Sequence, residues 1–141
     1  MLVPALSALP ALSALTACGN SAHQTPDAPP PMLDAAAARE TIAETQTLEP
    51  GELVEGIMTG GSRDAAQIHL IAPMKLDWNI HSHASGHTVT VHEEYDQPSV
   101  DFNFVPSGDG DWYLLIKNSG NVTAGIQVRV GLFGAMAWRW Q

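Results

Sequence analysis

Residues 49 to 141 predict an all-β domain, an antiparallel β-sandwich or barrel, and three observations carry that prediction. Apolar and polar residues alternate with period 2 in segment after segment, the pattern of strands that bury one face. Turn signals rich in Gly, Asn, Asp and Ser separate these segments at short intervals. The stretch is about ninety residues long, room for seven or so short strands around a single core and no second domain.

Taken in order, Glu52 to Thr59 is the first strand and Gly60-Gly61-Ser62 its turn. Ala65 to Ile71 sets Ile68 and Leu70 against Gln67, His69 and Ile71, and Pro73 ends it, because proline cannot donate to a ladder. Trp78 to Glu94 reads as a hairpin. Trp78 and Ile80 alternate with Asn79, His81 and His83, then Val89 and Val91 alternate with Thr88, Thr90 and His92. Between them Ala84-Ser85-Gly86-His87 is the turn, with Gly86 free to take positive φ. Val100, Phe102 and Phe104 alternate with Asp101 and Asn103, and Ser107 to Gly110 turns the chain. Trp112, Leu114 and Ile116 follow, opposed to Tyr113, Leu115 and Lys117, then Asn118 to Asn121 turns again. The last alternation is the longest: Val122, Ala124, Ile126, Val128, Val130 and Leu132, then Met136, Trp138 and Trp140. Trp138 and Trp140 share a face, as a core edge or as exposed aromatics that grip a partner.

Upstream, Leu33 to Thr45 is rich in helix formers, with Asp34 placed as an N-cap, so a short helix is expected there. Glu49-Pro50-Gly51-Glu52 breaks it. Asn20 to Met32 is polar, and Pro29-Pro30-Pro31 makes it an extended, semi-rigid spacer. The expected organisation is a leader over 1–17, a tether with the short helix over 18–48, and the β domain over 49–141.

The leader, MLVPALSALPALSALTA, carries no charged side chain, is interrupted by Pro4 and Pro10, and is short for a membrane span. It ends at Leu15-Thr16-Ala17-Cys18. That tetrad resembles a bacterial lipobox, departing from the usual leader only in having no Lys or Arg before the apolar run. The resemblance implies cleavage before Cys18, lipidation of Cys18 and a bacterial cell-envelope location. With Gly19 rather than Asp next, it implies the outer membrane facing the periplasm. Cys18 is the one cysteine, so the chain has no internal disulfide and no multi-cysteine zinc site.

Phe102-Asn103-Phe104, Gly110-Asp111-Trp112-Tyr113, Lys117-Asn118 and Ile126-Gln127-Val128 together resemble the end of GOLD-type and related jelly-roll sandwiches. Such domains are mostly binding and adaptor modules, and the resemblance implies the same here.

Four of the six histidines, His81, His83, His87 and His92, fall inside the hairpin. A four-residue loop, or a two-residue Ser-Gly loop, pairs His83 with Thr88, His81 with Thr90 and Asn79 with His92. Trp78, Ile80, Val89 and Val91 then share the buried face, and His81, His83 and His92 the polar one. Strand neighbours two apart, and diagonal neighbours across a pair, lie within about 6.5–8 Å, close enough for imidazoles to lean onto one ion. Neutral imidazole is the commonest metal ligand, so copper or zinc is the expected guest. His87 in the turn, Glu93 or Glu94 beside it, and His69 on the preceding strand are further candidate ligands. The competing expectation is a solvated polar face with no metal.

Fifteen acidic against six basic residues leave a net charge of −9 and no basic patch, which disfavours nucleic acid. Asp109-Gly110-Asp111 lacks the later ligands of a calcium loop and reads as a turn. Met58 and Met74 are thioethers that suit Cu(I), and equally suit packing. No nucleophile elbow, P-loop or zinc-protease helix is present, so an enzyme is not expected. The expected function is a cell-envelope lipoprotein whose histidine hairpin holds a transition metal. The alternative is a metal-free binding or structural lipoprotein that acts as an adaptor for an envelope protein partner.

Overall fold

The computed structural model describes residues 38–84 and 86–141. The strands are β1 Glu40–Leu48, β2 Leu53–Gly60, β3 Ala65–Ala84, β4 His87–Phe104, β5 Gly110–Asn118, β6 Ala124–Phe133 and β7 Ala137–Trp140. Among the described residues there is no helix. Every pairing is antiparallel, in the order β1-β6-β3-β5-β2-β7, with β4 on the other edge of β3.

β3 is the axis of this arrangement. Its first half, Ala65 to Ile71, pairs with β6, and its second, Leu76 to Ser82, pairs with β5. β4 follows both halves along the opposite edge. The sheet curls where β3 changes partner, and its inner faces close on one core. Ile68, Leu70, Val128 and Val130 from one half join Met58, Trp78, Ile80, Leu114 and Ile116 from the other in a single buried cluster. The result is an all-β, antiparallel sandwich, as the alternation predicts. Strand β6 shows the cause most plainly: Ile126, Val128, Val130 and Leu132 are buried while Gly125, Gln127 and Arg129 are exposed. Each such branched side chain contributes about 1.5–3 kcal/mol when fully buried.

Two expectations about element boundaries are corrected. The helix expected over Leu33 to Thr45 gives way to strand β1 from Glu40 onward, while residues 33–37 lie outside the described residues. β1 pairs with β6 from Glu40↔Leu132 to Leu48↔Ala124, so the β domain reaches back at least to Glu40 rather than beginning at 49. Satisfying an open β6 edge and placing Ile42 and Leu48 on the core outweighs the modest helix preference of the segment, whose Thr41, Thr45 and Thr47 suit a strand. Pro73, expected to end its strand, lies inside β3. The β6 ladder stops at Ile71 and the β5 ladder starts at Leu76, so its missing N–H costs no ladder bond.

Three local devices hold the ends. Asn118 is fully buried: its Nδ2 donates to Leu48 O (3.0 Å) and Val122 O (2.9 Å), and its Oδ1 accepts from Gly120 N (2.9 Å). Asp64 ties two turns together by accepting from Gly61 N (2.8 Å) and Ala135 N (2.7 Å), bonds that hold its carboxyl below the usual carboxylate range. Gly56 leaves open the space that the Trp138 ring fills, so Trp138 and Trp140 lie on the core side of β7.

Candidate functional site

The hairpin keeps the predicted register near its tip, with Ala84↔His87, His83↔Thr88 and His81↔Thr90. It then departs. A register shift between Ile80 and His81 sets Ile80 against His92, Asn79 against Glu93 and Trp78 against Glu94. The extra residue in β4 is a bulge, and a one-residue change moves every later side chain to the other face. The expected pairing of Asn79 with His92 is therefore corrected, and so is the single face expected for His81, His83 and His92. Val89 and Val91, expected in the core, are exposed at 47% and 51%.

Two clusters result. On the outer face of β2, β5 and β3, His81 is 5% exposed although its side of the sheet looks outward. Its ring stacks on Tyr113 from β5 (5.2 Å between centroids, 13° between planes). His83 meets Tyr113 (4.6 Å, 72°) and His81 (5.1 Å, 81°) edge to face. His81 Nδ1 donates to Asn79 Oδ1 at 2.8 Å, which leaves the Nε2 lone pair of a neutral ring 3.7 Å from Glu55 Oε1 on β2. Burial pushes the His81 pKa below its ordinary 6.5. The Glu55 carboxylate pulls the other way, and the neighbouring His83 adds to the depression.

The second cluster lies on the core side of the hairpin. His92 stacks on Phe102 (4.3 Å, 24°) and tilts against Trp78 (5.0 Å, 42°). Glu94 clasps the group, accepting from His92 Nε2 at 3.1 Å and from Trp78 Nε1 at 3.3 Å. His92 here is a wedge between aromatics, Trp78 on β3 and Phe102 further along its own strand.

The remaining predicted ligands are dispersed. His87 is exposed in the tip beside Gly86, which has φ +79°. Glu93 accepts the Tyr95 hydroxyl at 2.8 Å. His69 is twelve residues before His81 on the same strand, up to about 40 Å of extended chain away. There it lines a shallow depression of about 210 Å³ with Gln67, Asp101 and Arg129, floored by Gly131. Among the described residues, no three of His, Cys, Asp and Glu converge to hold a metal ion. Cys18 lies outside the described residues.

Tyr113 and Glu55 are the members of the outer cluster that the sequence does not single out. Tyr113 could have been found from parity, since it is the aromatic residue of β5 facing away from Trp112, Leu114 and Ile116. Glu55 could not, because β2 sits next to β5 only through long-range pairing.

No protein-family model and no curated protein matches the chain. Among solved structures it is similar to the Yersinia pseudotuberculosis-derived mitogen (YPM), at 10% identity and a TM-score of 0.46 over 65% of this chain and 85% of that one.

Proposed function

We propose that the chain is a cell-envelope lipoprotein, anchored through Cys18, whose β-sandwich is a binding module rather than an enzyme. Its contact surface is the outer face around Tyr113, His81 and His83. The observation that carries this reading is an aromatic–imidazole cluster on the outer face of a sheet, where Tyr113 lies between His81 and the buried Ile57 and the surrounding positions include Thr59, Asp111, Thr88 and Thr90. Flat rings that keep polar atoms at their edges are the usual anchors of protein interfaces, and they lose little conformational entropy when covered. The adaptor role implied by the GOLD-type resemblance agrees with this.

A photo-cross-linking residue placed at His83 in the native host tests the reading. The expected product is one adduct of defined mass with an envelope protein. The same residue at Thr45, on the outer face of the other half, is expected to give none. Equal products at both positions, or none at His83, would overturn the assignment.

The 5.1 Å approach of His81 and His83 supports a second reading, in which copper or zinc is held by these two rings with ligands supplied by the partner. In that case the His83 adduct requires added metal and disappears with a chelator.

A further inference from the structure

The outer face of the other half of the sandwich holds two adjoining depressions that the Tyr113 surface does not use. One, of about 210 Å³, is the hollow beside His69. The other, of about 460 Å³, continues it along β1, β6 and β3 past Thr45 and Gln127. His69 and Arg129 line both, so the two form one groove. Two rows of the sheet build its smaller end. Thr41, Gly131 and Gln67 lie side by side on β1, β6 and β3, and Arg129, His69 and Asp101 on β6, β3 and β4.

Gly131 is the buried floor of this end, and packing does not require a glycine there. It lies inside β6, where glycine is less stable than alanine. Its φ is not positive. A Cβ at this position would meet Ala38 Cβ at 3.5 Å, Phe133 Cε2 at 3.6 Å and Gln67 Cβ at 3.7 Å, all ordinary contact distances. A glycine in a strand with neither reason to be one marks a place where another molecule comes close to the backbone.

The chemistry around that floor is balanced. Arg129 offers only donors, Asp101 only acceptors, and Gln67, His69 and Thr41 offer both. Among the described residues Arg39, Lys75 and Arg139 sit in ion pairs with carboxylates, while Arg129 and Asp101 sit in none. One cation against one anion leaves the smaller end neutral on a chain of net charge −9. An anion would meet Asp101 and the field of the whole chain, and a cation would meet Arg129. An apolar guest would find Ile71, 43% exposed, at the larger end and no Phe, Tyr or Trp among the described residues that line the groove.

We propose that this groove binds a neutral oligosaccharide. Every sugar hydroxyl is at once a donor and an acceptor, which matches a rim that mixes both. A sugar ring laid on Gly131 sets its C–H groups against bare backbone and turns its hydroxyls to Arg129, Asp101, Gln67 and His69. The larger depression takes the next rings of the same chain. The site shares no residue with the Tyr113, His81 and His83 surface, so each can fail without the other.

Calorimetry on the full chain with Cys18→Ser tests the proposal, using maltotriose, cellotriose and triacetylchitotriose as probes. Saturable millimolar binding of at least one is expected, and added salt should leave it unchanged, because a neutral ligand has no charge to screen. Arg129→Met is expected to weaken it by about tenfold, the loss of one hydrogen bond from a charged donor. Arg63→Met removes the same charge from an exposed turn and is expected to change nothing. Gly131→Ala is expected to weaken binding by about tenfold, as a methyl group fills the floor. Its melting temperature should hold or rise, whereas a glycine kept for packing would lower it. Three results would overturn the proposal: no saturable binding of any probe, full binding by Gly131→Ala, or equal losses from Arg63→Met and Arg129→Met. Binding of L-alanine or inorganic phosphate with all three sugars inert would also overturn it and assign the groove to a charged ligand.

Discussion

His81 gathers three pressures on one ring: burial, stacking on Tyr113 and the Glu55 carboxylate 3.7 Å away. Burial dominates and keeps the ring neutral, with its pKa below 6.5. The unfolded chain therefore takes up the His81 proton before the folded one does. Folded-state stability from this group is complete above about pH 6.5 and declines as pH falls from there through the lowered value. The melting temperature is expected to drop between pH 7.5 and pH 5.5, and His81→Gln is expected to flatten much of that drop. An unchanged slope in the variant would show that the group is not the one titrating. The split of the histidines makes a separate prediction for metal titrations. Any Cu(II) or Zn(II) affinity measured by calorimetry should fall with His81→Ala or His83→Ala and survive His92→Ala, because His92 is occupied with Trp78, Phe102 and Glu94 on the other face.

At the scale of elements, β2, β5, β6 and the separate halves of β3 and β4 are legible because period 2 and turn chemistry are local properties of the chain; that each pair of halves is one continuous strand is not. The hairpin tip is legible for the same reason: Gly86 and the flanking alternation place it to the residue. The bulge is not. No glycine or proline lies between Thr88 and Glu94, and the shift comes from distant demand, with Trp78 and Phe102 taking the His92 ring between them. β1 was hidden likewise, since its reason to be a strand is the edge of β6, some eighty residues later in the chain. Asn118, read from sequence only as the end of a strand and the start of a turn, closes that turn with three side-chain hydrogen bonds. Asn118→Ala leaves the Leu48 and Val122 carbonyls without that partner. It is expected to cost about 2–3 kcal/mol in urea unfolding, against nearly nothing for the exposed Asn121→Ala. Gly56→Ala forces a methyl into the Trp138 ring and is expected to cost about 1–3 kcal/mol while loosening β7.

At the scale of the whole molecule, the class of fold was readable and the arrangement of its halves was not, because one strand, β3, serves both: Pro73 marks where one ladder stops, but not that the same strand goes on to a second partner. The anchor rests on Leu15-Thr16-Ala17-Cys18, outside the described residues. If Cys18 is lipidated as proposed, Cys18→Ser is expected to release the protein from membranes in a high-salt fractionation, since acyl chains would supply an anchor that a −9 domain cannot. Retention of the variant in the pellet would remove the lipoprotein reading.

The continuity of β3 also sets how fast the molecule forms. β4 joins β3 at once through the hairpin, but Trp78 waits for Ile116 and Ile68 for Val130, so the other edge of the central strand stays open until most of the chain is present. Folds built on such distant pairings form in milliseconds to seconds rather than microseconds. If the chain is exported as proposed, that delay would be useful: a nascent chain whose central strand lacks its last partners would stay open enough to thread a narrow pore and acquire its shape on the far side.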